Sequence, residues 1–350
     1  VIVVLRAALA GASLTVLLVV LAVVPSPIRT AQSSPAAAAP AAGAPTRPGP
    51  RAPDGPLPTV RVAPYVDLTT PPLPDLGAVA DASGQRDVVL GFVLAGAGCT
   101  PTWGGTTPLT DPAVQGSIAG LKARGGTVTV SSGGAAGDYL ETRCPDAASL
   151  ARAYGQALDV VGTDHLDVDI ETDKGRAVST ARVADALKLL QTARGTRITL
   201  TVQVESADAG MTDDARDLVG TVSSRGVAAR INLMVMNFEQ RGGWGESMLD
   251  AADLSLAALQ RLWPGSDPAD VARRVGVTLM IGRNDTAATT TLADGATVVD
   301  GARARGYGYV GAWSLLRDNG GCPGTATEAD HCSGITQAPW AFTRALQRFG

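Results

Sequence analysis

The chain has 350 residues, 45% hydrophobic and 18% charged, with a formal net charge of -4; that is enough apolar material for one large domain or two ordinary ones. The charge is uneven: up to Val62 there are five basic groups and one acidic, which leaves 24 basic and 32 acidic residues, a balance of -8, in the remainder. An acidic folded part argues against nucleic acid or an anionic membrane as partner and favours a neutral or weakly cationic substrate.

Residues 1–24 read as a targeting segment. From Ala7 to Val24 there is no charge and almost nothing but Ala, Val and Leu, preceded by Arg6, which suits either a signal peptide or a single signal-anchor helix. No Ala-x-Ala site lies just after Val24, so both readings stay open. Residues 25–62 are Pro, Ala, Gly, Ser and Thr with hardly a large apolar side chain. Such a stretch buries too little surface to offset its ordering entropy and is expected to be a semi-extended linker. The expectation is a monomeric protein, secreted or tethered outside the cell, with its folded domain at 63–350.

Within that domain, short β-branched apolar runs alternate eight times with helical stretches. The predicted strands are Val60–Asp67, Asp87–Ala95, Thr127–Ser131, His165–Glu171, Thr196–Glu205, Ala229–Phe238, Val275–Asn284 and Tyr307–Trp313. Predicted helices between them include Pro112–Arg124, Ala147–Val161, Arg176–Ala193, Thr212–Arg225, Met248–Leu262 and Leu292–Arg305, with a last one at Ile335–Phe349. Gly125, Gly195, Gly226 and Gly306 stand where helices should stop. Eight βα units in one domain predict an α/β fold, a single (β/α)8 barrel. An open doubly wound sheet would want a Gly-rich phosphate loop after the first strand, and Pro71-Pro72 stands there instead.

Four cysteines, Cys99, Cys144, Cys322 and Cys332, all fall in the folded part. An even count in an exported chain reads as two disulfides. Three pairings are possible; the barrel topology favours Cys99–Cys144, between neighbouring loops at the mouth, and Cys322–Cys332, closing a short loop after the eighth strand. The spacings are not those of a zinc site, and neither metal nor cofactor is expected.

Chemistry in such a barrel sits at the carboxyl ends of the strands. There the most informative stretch is Asp164-His165-Leu166-Asp167-Val168-Asp169-Ile170-Glu171. Side chains alternate across a strand, so Leu166, Val168 and Ile170 pack under the helices while Asp167, Asp169 and Glu171 point into the barrel. Three stacked carboxyls lose hydration and repel one another, which a fold does not need for stability. Shared protons should raise at least one pKa and leave Glu171, nearest the mouth, as a general acid for a glycosidic oxygen.

The octet resembles the Asp-x-x-Asp-x-Asp-x-Glu motif of family 18 glycoside hydrolases, the chitinases and endo-β-N-acetylglucosaminidases. Ser131-Ser132-Gly133-Gly134 is similar to that family's Ser-x-Gly-Gly, Met234-Val235-Met236-Asn237-Phe238 falls where it has a Met-x-Tyr-Asp type sequence, and Trp313 falls where a Trp closes the eighth strand. The segment Cys99 to Gly105 resembles one found in secreted bacterial chitinases. The resemblance implies substrate-assisted retention: the sugar's acetamido oxygen attacks the anomeric carbon, Glu171 protonates the leaving oxygen, and Asp169 orients the acetamido group, the stated exception to the rule of two catalytic carboxyls. Double displacement with Asp285 as nucleophile is the alternative. Departures from the family pattern are His165 for a Gly, and Met236 and Asn237 for the Tyr and Asp of the sixth strand.

Sugars stack on aromatic faces, and aromatics are only 4% of this chain. Trp313 is expected as the floor under the reacting sugar, Tyr65 as a pocket wall, and Trp103 and Trp244 as outlying subsites. Gln203 and Asn284, near strand ends, are candidates for hydroxyl binding or for buried hydrogen-bond networks. The favoured function is hydrolysis of β-1,4 bonds in N-acetylglucosamine polymers; the alternatives are a glycan-binding barrel without turnover, an endo-β-N-acetylglucosaminidase, and an enzyme acting on peptidoglycan.

Overall fold

The structure, a computed structural model, describes residues 49–171, 177–324 and 331–350. The expected signal or anchor segment at 1–24 lies outside the described residues, as does the linker up to residue 48. Among the described residues no helix is long and apolar enough to cross a membrane.

Eight strands carry the alternation: β1 (Tyr65–Asp67), β2 (Asp87–Ala95), β3 (Thr127–Gly133), β4 (His165–Ile170), β5 (Arg197–Ser206), β6 (Ala229–Met234), β7 (Val275–Met280) and β8 (Tyr309–Trp313). Each pairs in parallel with the next in sequence. The ring closes where Val62, ahead of β1, bridges Val310 in β8; Val310 N–H donates to Arg61 O at 2.9 Å and Ala63 N–H to Val310 O at 3.3 Å. A sheet closed on itself in this way is the expected (β/α)8 barrel.

The outer layer is α1 (Leu76–Ser83), α2 (Pro112–Lys122), α3 (Ala147–Val161), α4 (Thr180–Arg194), α5 (Asp213–Ser224), α6 (Trp244–Leu262), α7 (Leu292–Ala304) and α8 (Ala341–Leu346). Helix α3 shows why these residues fold so. Asp146 caps its first turn by accepting from Ser149 N–H, and Leu150, Ala153, Tyr154, Ala157, Leu158 and Val161 form the buried stripe. Gly162, at φ 70°, ends it in the left-handed conformation that favours glycine.

Several predicted elements are shorter than expected; β1, for instance, begins at Tyr65 and not at Val60. Strand β6 stops at Met234 although the apolar run continues, because Asn237 turns the chain at φ 61° and Phe238 tucks against Trp244, ring centroids 4.7 Å apart. Strand β7 stops at Met280, and Gly282–Arg283 pairs antiparallel with Thr289–Thr290. Gly282 lies so close to Ser333 that a Cβ there would meet its carbonyl oxygen at 1.9 Å. The final helix begins only at Ala341, since Pro339 interrupts the expected run.

The barrel floor is closed by residues that the sequence assigns to the linker. Arg230, buried on β6, donates to Pro58 O and Val60 O at 2.8 Å each and lies over the Tyr309 ring at 4.9 Å. Burial brings its guanidinium down to about 10. Ala52 is buried and Arg274 donates to Pro53 O. Both disulfides form as expected, Cys99–Cys144 with Cα atoms 4.7 Å apart and Cys322–Cys332 at 6.0 Å. In the chain-entropy account, loops of 45 and 10 residues contribute roughly 4 and 3 kcal/mol.

Candidate active site

At the carboxyl ends of the strands a cleft of about 540 Å³ opens, the size of a pocket for a few sugar rings. Its floor is aromatic. Phe92 and Trp313 stack with centroids 5.7 Å apart and planes at 21°, and Tyr65 tilts against both at 6.2 and 6.1 Å. Trp313 and Tyr65 therefore stand where the sequence places them. Phe92 was not legible, because β2 changes register between Leu90 and Val93. Simple alternation from Val89, which faces the barrel interior with Tyr65 and Tyr309, would turn Phe92 outward.

The glycine pair after β3 makes room for this floor. A Cβ on Gly133, at φ 114°, would meet Asp169 O at 1.8 Å, and one on Gly134, at φ 86°, would meet the Phe92 ring at 2.6 Å. With neither present, Gly134 N–H reaches Asp169 O at 2.9 Å, and the ends of β3 and β4 lie side by side.

Strand β4 presents its acids as the alternation requires. Asp167 is sealed beneath the cleft, 1% exposed; Asp169, 3% exposed, and half-buried Glu171 line it. Asp167 accepts from Ser131 Oγ at 2.6 Å, Thr201 Oγ1 at 2.7 Å and Tyr65 Oη at 2.9 Å. Burial pushes its carboxyl up to about 6, against the opposing pull of those three hydroxyls. The leading cause is desolvation by burial. Around it Asn232 donates to Thr201 Oγ1 at 3.0 Å and accepts from Thr278 Oγ1 at 3.0 Å. Asn232, Thr201 and Thr278 escaped the sequence reading because single hydroxyls and amides inside strands carry no motif.

The sign of this shift sets a testable pH dependence. A folded-state pKa above the unfolded value means that between about pH 4 and pH 6 the native state holds a proton the unfolded state has lost. The stabilisation is full below pH 4 and is lost as pH rises through about 6. Subtracting the thermal-unfolding profile of Asp167→Asn from that of the unaltered protein should isolate this downward slope; a flat difference from pH 4 to 7 would contradict it.

The remaining expected residues divide. Gln203 on β5, half-buried Met234 at the end of β6 and half-buried Met236 just after it line the cleft, and exposed Asn237 and Asp285 form its rim. Asn237 Nδ2 donates to Asp285 Oδ2 at 2.7 Å and Asp285 N–H donates back to Asn237 Oδ1 at 2.9 Å.

These features have relatives. No family model matches the chain, but a probable bifunctional chitinase/lysozyme of Escherichia coli (strain K12) is 29% identical over 312 residues, 82% of this chain and 34% of that protein. Endochitinase 11 of Metarhizium anisopliae is 28% identical over 276 residues, 73% of this chain and 52% of that one. The catalytic domain of a hyperthermophilic chitinase from Pyrococcus furiosus superposes with a TM-score of 0.76 at 26% identity, over 86% of this chain and 97% of that domain. In sequence and in fold the chain is chitinase-like. It spans about a third and about half of the length of the two curated relatives it matches.

Three expected residues fall outside the cleft of this chitinase-like barrel. Trp103 sits in an antiparallel excursion paired to β2 and is 1% exposed, so it is core and not a sugar platform. Trp244 opens α6, is equally buried and donates Nε1–H to Thr290 Oγ1 at 3.0 Å. An indole flanked by short polar residues can be read as a loop platform, but burial against neighbouring elements wins when a hairpin folds back over it. Asn284 is buried and braces the turn after β7: it donates to Gly282 O and Thr290 Oγ1 at 3.1 Å each and accepts from Asn237 N–H at 3.2 Å. It holds the rim that carries Asp285 and does not face sugar.

Proposed function

We propose that this chain hydrolyses β-1,4 bonds in N-acetylglucosamine polymers by substrate-assisted retention, outside the cell. The observation that carries the reading is the placing of Asp169 and Glu171 along one wall of a cleft floored by Trp313, with Asp167 closed off beneath. A sugar stacked on Trp313 would bring its glycosidic oxygen to Glu171 and its acetamido group to Asp169. Glu171 protonates the leaving oxygen, the acetamido oxygen attacks the anomeric carbon, and water then opens the oxazolinium with Glu171 as base. Asp285, the candidate nucleophile for double displacement, is already engaged by Asn237, which favours a rim role. The relatives named as chitinases support chitin or its oligosaccharides as substrate. The two disulfides and the uncharged stretch ahead of the linker support export.

One observation favours a second reading, a glycan-binding barrel with little turnover: the cleft wall after β6 offers the thioether of Met236, which donates no hydrogen bond to an acetamido oxygen. Incubation with N-acetylchitohexaose and with cellohexaose, followed by mass spectrometry, separates the two. The enzyme reading expects shortened products from the first and none from the second. Saturable binding of intact chitohexaose after prolonged incubation would establish the binding reading in its place.

A further inference from the structure

Strand β4 ends at Ile170, where its register with β5 also ends. The next backbone N–H, that of Glu171, points to the other side, toward β3, whose register with β4 ends at Gly133 opposite Asp169. There β3 turns away through Gly133 and Gly134, both at positive φ. Two strand ends diverge here, each with a backbone group that must be satisfied in a nearly dry site.

One side chain serves both. Tyr139, fully buried, puts its hydroxyl between the strand ends; it accepts from Glu171 N–H at 3.2 Å and donates to Gly134 O at 2.5 Å. The two backbone points it joins belong to the proposed acid and to the residue packed against the Phe92 ring of the cleft floor. A phenylalanine would fill the same space, so only the hydroxyl makes this link.

The segment that carries Tyr139 is itself held from four sides. Asp138 O accepts from Ala95 N–H at the end of β2 at 2.8 Å. Cys144 is bonded to Cys99 in the loop after β2. Arg182, at the start of α4, donates to Cys144 O at 2.8 Å. Glu141, fully buried, accepts at Oε1 from Ser132 Oγ on β3 at 2.8 Å and from Tyr154 Oη on α3 at 2.5 Å. A carboxyl buried this deeply is costly to place, and here it fixes the short helix Leu140–Arg143 to β3 and α3.

We infer that Tyr139 is a positioning residue for the general acid: its hydroxyl holds the main chain of Glu171 in register with the cleft floor and so sets the reach of the Glu171 carboxyl to the leaving oxygen. This rests on the reading of Glu171 as the acid, and it places a determinant of turnover 32 residues upstream, on a residue that does not line the cleft. Misplacing a catalytic group by a fraction of an ångström costs rate while leaving substrate affinity alone.

The test uses leaving groups that differ in their need for a proton. Tyr139→Phe should lower kcat on N-acetylchitohexaose roughly 10- to 100-fold. On a 2,4-dinitrophenyl chitobioside, whose leaving group departs unprotonated, it should slow the first-turnover release of dinitrophenolate less than about threefold, and KM for chitohexaose should hold. An equal loss on both substrates would mark Tyr139 as merely structural and overturn the inference; so would no loss on either. Hydrogen exchange on the unaltered protein tests the same link without a variant. The Glu171 amide should be protected like that of Ile170, and exchange at the rate of an open loop would also overturn it. Glu171→Gln on the same pair keeps the two levels apart. If it slows first-turnover release of dinitrophenolate as much as it slows chitohexaose turnover, the acid assignment itself falls. If it is selective for chitohexaose while Tyr139→Phe is not, only the positioning role falls.

Discussion

Glu171→Gln should retain the fold and the affinity for chitooligosaccharides while turnover on them drops by ~10²–10⁴-fold, the usual contribution of general acid catalysis. The substitution removes one proton and little else. The carboxyl sits half-buried at the mouth, one residue past the end of β4, so an amide of the same shape leaves the packing of Leu166, Val168 and Ile170 untouched. Calorimetric titration with N-acetylchitohexaose would report the affinity, and product mass spectrometry the turnover. Wild-type rates on this unactivated substrate would show that another group donates the proton.

The second large effect separates two mechanisms. With the acetamido oxygen as nucleophile, Asp169→Asn should slow hydrolysis by roughly 10²–10³-fold, the cost of removing one stabilising group from a developing charge. Asp285→Asn should cost less than about tenfold, what the loss of a charge-assisted hydrogen bond amounts to; the rim contact with Asn237 at 2.7 Å is its main engagement in the structure. Double displacement through Asp285 would reverse that order. A stable thiazoline analogue of the cyclised sugar adds an independent readout, since it mimics the ring that Asp169 would stabilise. It should inhibit, though weakly for such a compound, because Met236 lines the wall without offering a donor. An analogue that bound no better than a plain sugar would count against the acetamido route.

How much of this was legible in the sequence differs from element to element. Strand β2 and helix α3 were read to the residue, because Asp87–Ala95 and Ala147–Val161 are bounded by turn and cap residues whose preference is local. The inward row Asp167, Asp169, Glu171 was legible for the same kind of reason: alternation along β4 is set by the chain's own pleat. The ends of β6 and β7 were not: β6 is cut by the turn at Asn237 that tucks Phe238 onto Trp244, and β7 by the close approach of Gly282 to Ser333, far along the chain.

The sequence by itself determined the eight-fold alternation, the pairing of the cysteines once the barrel was assumed, and the strand on which the acids sit. These depend on periodicity, composition and spacing, which act within a few residues of each position. Only the tertiary structure decided which aromatics line the cleft and which are core, that Phe92 faces the cleft through a register shift, that burial is the leading cause raising the Asp167 carboxyl to about 6, and that the hydroxyl of Tyr139 meets the Glu171 N–H. Each of those outcomes is a sum of contacts from strands and loops far apart in the chain, and no local pattern encodes the dielectric or the partners that such a gathering creates.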